Sequence, residues 1–161
     1  MALSQATLST ELQAMAPAPD EATGINNFAT AFENYFAQAT CNAVAVTPGS
    51  LAACTAALKA AMVGVASAGA AKIAAGISAF WGVVATNAPT IWVTVPVLIS
   101  ATPPTLLSGL QAAIDAAGAA NIAGNKSLVD SADAMATAIH GKQSGGLGNI
   151  VIPPGGTYPI L

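Results

Sequence analysis

The chain has 161 residues, of which 54% are hydrophobic and only 7% charged; an ordinary soluble domain carries about 25% charged residues. So few charges do not cover a domain-sized body with a solvated surface, so the chain either sits in a membrane or buries much of its outside against other chains. The net charge is −3, from four lysines, no arginine and seven acids, which rules against nucleic acid, because phosphate recognition relies on arginine and on basic clusters.

At this length one domain with a real core is expected. The opening MALSQATLSTELQ has neither a basic region nor a long apolar run and does not read as a secretory signal. Leu8, Leu12 and Met15 recur at helical spacing and predict a short helix over Thr7 to Met15, ended by the run Ala16 to Pro19. Asp20 is placed as an N-cap, with Glu21 in the first turn, where the helix dipole favours an acid. The second helix carries Ala22, Ile25, Phe28, Ala29, Phe32, Tyr35, Phe36 and Ala39 on one face, with Asn26, Asn27, Glu33 and Asn34 on the wet side. Its aromatic stripe, Phe28, Phe32 and Phe36, is expected in the core.

Thr47-Pro48-Gly49-Ser50 reads as a turn ending in an N-cap serine. A third helix is predicted from Leu51 to about Val65 and is broken by Gly64 to Gly69. The central element follows. From Lys72 to Asp115 there is no charged residue between the two, and Ile73, Ile77, Phe80, Trp81 and Val84 form one helical face. Phe80 and Trp81 are therefore expected in the core. The opposite face is small (Ala74, Ala75, Gly76, Ser78, Ala79, Gly82), so another helix can approach it closely, and the helix is placed at the centre of the fold. Asn87-Ala88-Pro89 is expected to stop it near Ala85. Its apolar stretch, Ile73 to Ala85, spans about 20 Å at 1.5 Å per residue, short of the roughly 20 residues a membrane span needs, so membrane insertion is not expected.

Thr90 to Thr102 alternates Val93, Val95, Val97 and Ile99 with other residues and reads as extended chain, with Pro96 confining it to an edge. A fifth helix is predicted after Thr102-Pro103-Pro104, through Leu106, Leu107, Leu110 and Ile114. Gly118 to Asn125 is expected to be a glycine-punctuated link. Ser127, with Asp130 three residues on, predicts a capping box for a sixth helix whose apolar face is Leu128, Ala132, Met135, Ala136 and Ile139. After Gly141 the pattern changes to GKQSGGLGNIVIPPGGTYPIL, rich in glycine and proline, with no helical period and an apolar end. Ile150, Val151, Ile152, Tyr158, Ile160 and Leu161 are the residues expected to anchor it as an extended arm in a groove, more readily on a neighbouring subunit than on its own domain. The fold class expected is mainly α, a small bundle of five or six helices over residues 1–143, followed by the arm, 144–161.

Catalytic chemistry is not visible. His140 is expected as a cation or polar surface residue at a helix end, and Asp130 with Asp133 as a solvated helix start. No serine sits in a nucleophile elbow, no Cys/His cluster has metal spacing, and SGGLG neither follows a strand nor opens a helix. Cys41 and Cys54 flank the turn at Thr47; a disulfide across it is geometrically conceivable, and two small buried hydrophobes is the preferred reading. No catalytic, cofactor-binding or metal-binding residue is expected, and no small-molecule substrate.

MALSQATLSTEL, FATAFENYF, TPGSL, AFWGVVA, ATPP and the terminal PPGGTYPIL, taken in order, resemble small virion structural proteins of tailed phages, particularly contractile-tailed marine and cyanobacterial ones. The resemblance covers nearly the whole chain and rests on pattern and order. It implies a non-enzymatic helical subunit of the virion in the baseplate, neck or capsid surface, present as a symmetric homo-oligomer or in multiple copies and packed among other virion proteins. Two other classes stand beside it: a membrane-active phage protein of the holin type, and a secreted alanine-rich helical protein that pairs with a partner.

Overall fold

A computed structural model describes residues 3–15, 17–41, 43–66, 69–93, 100–144, 149–152 and 156–161. Within them the chain is mainly helical. Its helices are α1 (Gln5–Gln13), α2 (Glu21–Phe36), α3 (Ala52–Gly64), α4 (Ala70–Ile91), α5 (Leu110–Ala123) and α6 (Leu128–Ser144), with a 3₁₀ turn at Thr105–Gly109 before α5. Five short strands accompany them: β1 (Thr40–Cys41), β2 (Val44–Ala45), β3 (Ser100–Ala101), β4 (Asn149–Ile152) and β5 (Gly156–Pro159). Side chains of Ile150, Val151, Ile152 and Tyr158 lie outside the described residues, as do residues 94–99 of the alternating segment and the SGGLG glycines at 145–148.

The helix starts follow local chemistry. Asp20 accepts a hydrogen bond from the backbone N–H of Thr23 at 2.7 Å, which holds its carboxyl below the usual carboxylate range. Ser127 and Asp130 form the expected reciprocal box: the Asp130 N–H donates to Ser127 Oγ at 3.1 Å, and the Ser127 N–H donates to Asp130 Oδ2 at 3.2 Å. Ser50 does not cap α3. Its hydroxyl donates back to the Thr47 carbonyl at 2.7 Å and closes the turn instead, and Leu51 takes the cap position.

The core is a sandwich of aromatic rings between α2 and α4. Phe28, Phe32, Phe36, Phe80 and Trp81 are all buried. Phe36 is the hub: its ring meets Phe80 at 4.9 Å, Trp81 at 5.2 Å and Trp92 at 6.1 Å between centroids, and Phe32 meets Phe80 edge-on at 5.1 Å. On its small face α4 receives α3. A Cβ at Gly76 would stand 2.7 Å from Met62 Cγ and 3.2 Å from Leu58 Cγ, so the glycine is what lets the two helices approach. The helix is not enclosed on all sides. Ser78, Gly82, Thr86 and Thr90, four residues apart, are exposed, and this wet stripe is the part of the small face that α3 leaves uncovered.

Two helix ends differ from expectation. Helix α4 continues past Asn87-Ala88-Pro89 to Ile91. A proline forfeits one intrahelical bond, but here burial on both sides compensates: Ala88, Ile91 and Trp92 are fully buried, and the Thr90 hydroxyl donates to the Asn87 carbonyl at 2.8 Å. Likewise α5 runs through Gly118 to Ala123, so the expected link shrinks to a tight turn. A glycine inside a helix costs only about 1 kcal/mol relative to alanine, too little to stop a helix whose Leu110 and Ile114 are anchored in the core.

The carboxy-terminal arm lies on its own domain. It does not run as a single extended line; β4 and β5 pair as an antiparallel hairpin, and β4 pairs with β3 through Ser100↔Val151 and Ala101↔Ile150. The last two residues continue to the other small sheet. Leu161 exchanges two backbone hydrogen bonds with Thr40, at 2.7 and 2.9 Å, and Ile160, opposite Cys41, is fully buried. Pro153 and Pro154 are outside the described residues; Pro159 ends β5, the edge strand of its sheet, where a residue without an N–H is tolerated.

Candidate interaction surface

Polar side chains buried in this fold serve to join helices. Lys72 reaches back over the end of α3. Its ammonium donates to the Met62 carbonyl at 3.2 Å and to the Val65 carbonyl, and pairs with Glu21 Oε1 at 2.8 Å. A cation on the last carbonyls of a helix is placed where the dipole favours it, and the same group ties the start of α2 to the start of α4. The α1–α6 seam is held by Asp133, which accepts from the Ser9 hydroxyl and from Gln13 Nε2 at 3.1 Å. Trp81 Nε1 donates to Gln143 Oε1 at 3.1 Å, and Gln143 is itself fully buried.

His140 sits elsewhere than expected. It is half-buried, three residues before α6 reaches Gln143, and its Nδ1 is 2.8 Å from the Tyr35 hydroxyl on α2, with the two rings edge to face. Burial pushes the imidazole below its ordinary value and the tyrosine hydroxyl well above its own. His140 is therefore a neutral strut between α2 and α6, not a helix-end cation. The sign of its pH effect follows. A histidine whose folded value is depressed contributes stability that is present above its unfolded value, 6.5, and is lost as pH falls through the folded value. The melting temperature should fall as pH drops below about 6.5, and His140→Gln should flatten that fall while leaving the separate loss below the carboxylate range, to which Asp20 and Asp130 contribute. Identical profiles for parent and variant would show that the strut carries no linkage.

Cys41 and Cys54 are free and buried, with burial pushing each thiol up to about 11. Neither is a nucleophile at neutral pH. Among the described residues no three His, Cys, Asp or Glu side chains converge on a possible metal position, and no helix is long and apolar enough to cross a membrane.

What the surface offers is apolar. At the far end of the α5–α6 hairpin, Ile122 is 84% exposed, Leu128 89% and Val129 53%, and Ala119, Ala120 and Ala123 are exposed around them. The tip is stiffly built. The Lys126 N–H donates to the Asn121 carbonyl at 3.0 Å and the Asn125 N–H to the Ile122 carbonyl at 3.2 Å, with Asn125 in the left-handed region at φ 47°. Those bonds form a Schellman stop, and the Ser127–Asp130 box starts α6 two residues later. A second apolar concavity of about 410 Å³ lies between α1, α2, α4 and α6, bounded by Leu12, Met15, Ile25, Phe28, Ile73 and Met135.

The core residues expected from sequence are thus brought together, Ile160 joins them, and Leu161 lies half-exposed beside Thr40. The hairpin tip was not among the expected interaction residues: reading Gly118 as a break hid the helix that carries Ile122, and Leu128, expected on the apolar face of α6, is instead exposed because it opens the helix at the tip, beyond the packed part of the bundle. The signal was present in Asn125-Lys126-Ser127: an asparagine suited to the left-handed helix stop, followed at once by an N-cap serine. Compared with protein-family models, curated proteins and solved structures, the chain matches none, so its function is read from this geometry and from the sequence pattern.

Proposed function

We propose that the chain is a non-enzymatic structural subunit of a phage particle, one that packs among other virion proteins in the baseplate, neck or capsid surface. The observation that carries this reading is the rigid, exposed apolar end of the α5–α6 hairpin on a chain with only 7% charged residues. Contiguous exposed apolar surface rimmed by polar groups is where proteins meet partners. The side chains that chemistry would need are engaged in joining helices: His140 with Tyr35, Asp133 with Ser9, Lys72 with two carbonyls and Glu21. The ordered resemblance of MALSQATLSTEL, FATAFENYF, AFWGVVA and PPGGTYPIL to small virion proteins supports the particle as the setting. The test is mass spectrometry of purified particles. The chain is expected among the particle proteins at a fixed ratio to the major subunits; recovery in the host membrane fraction, or free in the medium with none in particles, would overturn the reading.

A further inference from the structure

The α5–α6 hairpin carries an outward stripe that matches itself in reverse. Asp115, Ala119 and Ile122 are four and three residues apart on one face of α5, and Lys126 follows four residues later, just past the helix stop. All four are exposed, and all four line one groove of about 750 Å³. Read along the chain, the stripe runs acid, small, large, base. Turned end for end by a twofold axis it runs base, large, small, acid. Asp115 of one copy then faces Lys126 of the other, and Ile122 faces Ala119, twice over, which is the self-complementarity an isologous contact requires.

The surroundings suit that pairing. Nothing stands within 4 Å of where a Cβ at Gly118 would be, so the groove beside Ala119 is open to a branched side chain. Among the described residues neither Asp115 nor Lys126 makes an ion pair within its own chain, although the Lys126 charge is felt by Asp130. An anionic lipid surface would meet Asp115 and Asp130 with the wrong sign.

We propose that a second copy of this chain docks antiparallel on this stripe, with Ile122 seated over Ala119 and Gly118 of its mate and Asp115 paired with the mate's Lys126. This deepens the reading of the chain as an assembly subunit by naming one neighbour, and it stands on the hairpin's own charge pattern.

Sedimentation of the isolated full chain over a range of concentrations tests it. The parent should self-associate. Ile122→Asp should weaken that association by at least about 10-fold, as loss of a central apolar anchor does. Asp115→Lys and Lys126→Asp should each weaken it by about 10-fold, because each places like charges face to face. An equimolar mixture of the two single variants, and the double variant alone, should both recover association, since every contact is again acid to base. Circular dichroism should be unchanged throughout, as all the altered positions are exposed. A parent that stays monomeric, an Ile122→Asp chain that associates as before, or a mixture that fails to recover overturns the contact. Binding of a monomeric parent to phosphatidylcholine vesicles, lost in Ile122→Asp, would also overturn it and assign the tip to a lipid surface. A monomeric chain that still co-purifies with particles would overturn this contact alone and leave the particle reading standing.

Discussion

Replacing Trp81 by alanine should cost about 3–5 kcal/mol, the usual range for removing a large buried aromatic. Trp81 has no exposed surface, and its ring packs edge-on against Phe36 at 5.2 Å. Truncation would leave a void in the middle of the α2–α4 sandwich, and the walls have little freedom to close it, because Phe36 is held at the same time by Phe80 and Trp92. That cost has a polar part as well as the void. Without the indole N–H, Gln143 Oε1 is left buried with no donor, and an unsatisfied buried acceptor costs roughly 1–3 kcal/mol on its own. Trp81→Phe removes the hydrogen bond but only part of the buried ring volume, so it should fall well short of the alanine variant. With a total stability of about 5–15 kcal/mol for such a domain, Trp81→Ala should lie near the edge of folding at ambient temperature. Chemical denaturation read by circular dichroism measures all three chains. A midpoint for Trp81→Ala within experimental error of the parent would mean that α4 is not the centre of the core.

Much of this fold was legible in the sequence because large side chains mark a helix face unambiguously. Phe28, Phe32 and Phe36 on α2, and Ile77, Phe80, Trp81 and Val84 on α4, are period-3.6 stripes, and each is buried where the spacing placed it. The Asp20 and Ser127 starts were legible because capping is local: the donor and acceptor lie within three residues of one another. The misreadings have a common cause. Pro89 and Gly118 are unfavourable in a helix by their own backbones, yet neighbours elsewhere in the chain decide whether that matters, and the burial of Ile91 and Trp92 outweighed it at Pro89. His140 misled for the same reason. Its place near the end of α6 suggests a cation serving the dipole, while its actual environment is set by Tyr35, distant in sequence. The two small sheets were the least legible part. Strands of two residues such as Thr40–Cys41 and Ser100–Ala101 leave no period to detect, and their pairing with the arm depends on contacts far apart along the chain.

Interaction surface was partly legible as composition and hidden as position. The low charge content led to the expectation that part of the outside is covered. Which part depended on the exposed run from Asp115 to Asp130, and alanine-rich segments such as AAGAANIAG give the helical period little contrast, because alanine fits a buried face and a wet one equally well.

Removing only Ile160 and Leu161 should destabilise the chain by about 3–5 kcal/mol, a large effect for two terminal residues. Ile160 is fully buried, and withdrawing such a side chain from the core costs roughly 1.5–3 kcal/mol. The two hydrogen bonds that Leu161 exchanges with Thr40 add about 1 kcal/mol each, and their loss leaves the Thr40 N–H and C=O to find water. These residues are also the closing stitch of the arm. They bind β1, whereas β3 holds β4, so the hairpin is fastened to the domain at two separate places. With one released, the remaining attachment is the two-residue pairing with Ser100–Ala101, and an isolated hairpin is only marginally stable in water. The truncated chain should therefore keep its helical circular dichroism, because α1 to α6 retain their aromatic core, while its melting temperature drops by roughly 10 °C. Ile160→Ala in the full-length chain removes the side chain but keeps both backbone bonds, and should recover part of the loss. A truncated chain that melts with the parent would show that the arm is not fastened to its own domain, and would favour its docking on a neighbouring subunit. Loss of the helical signal would mean that the arm is part of the core itself rather than a strap laid across it.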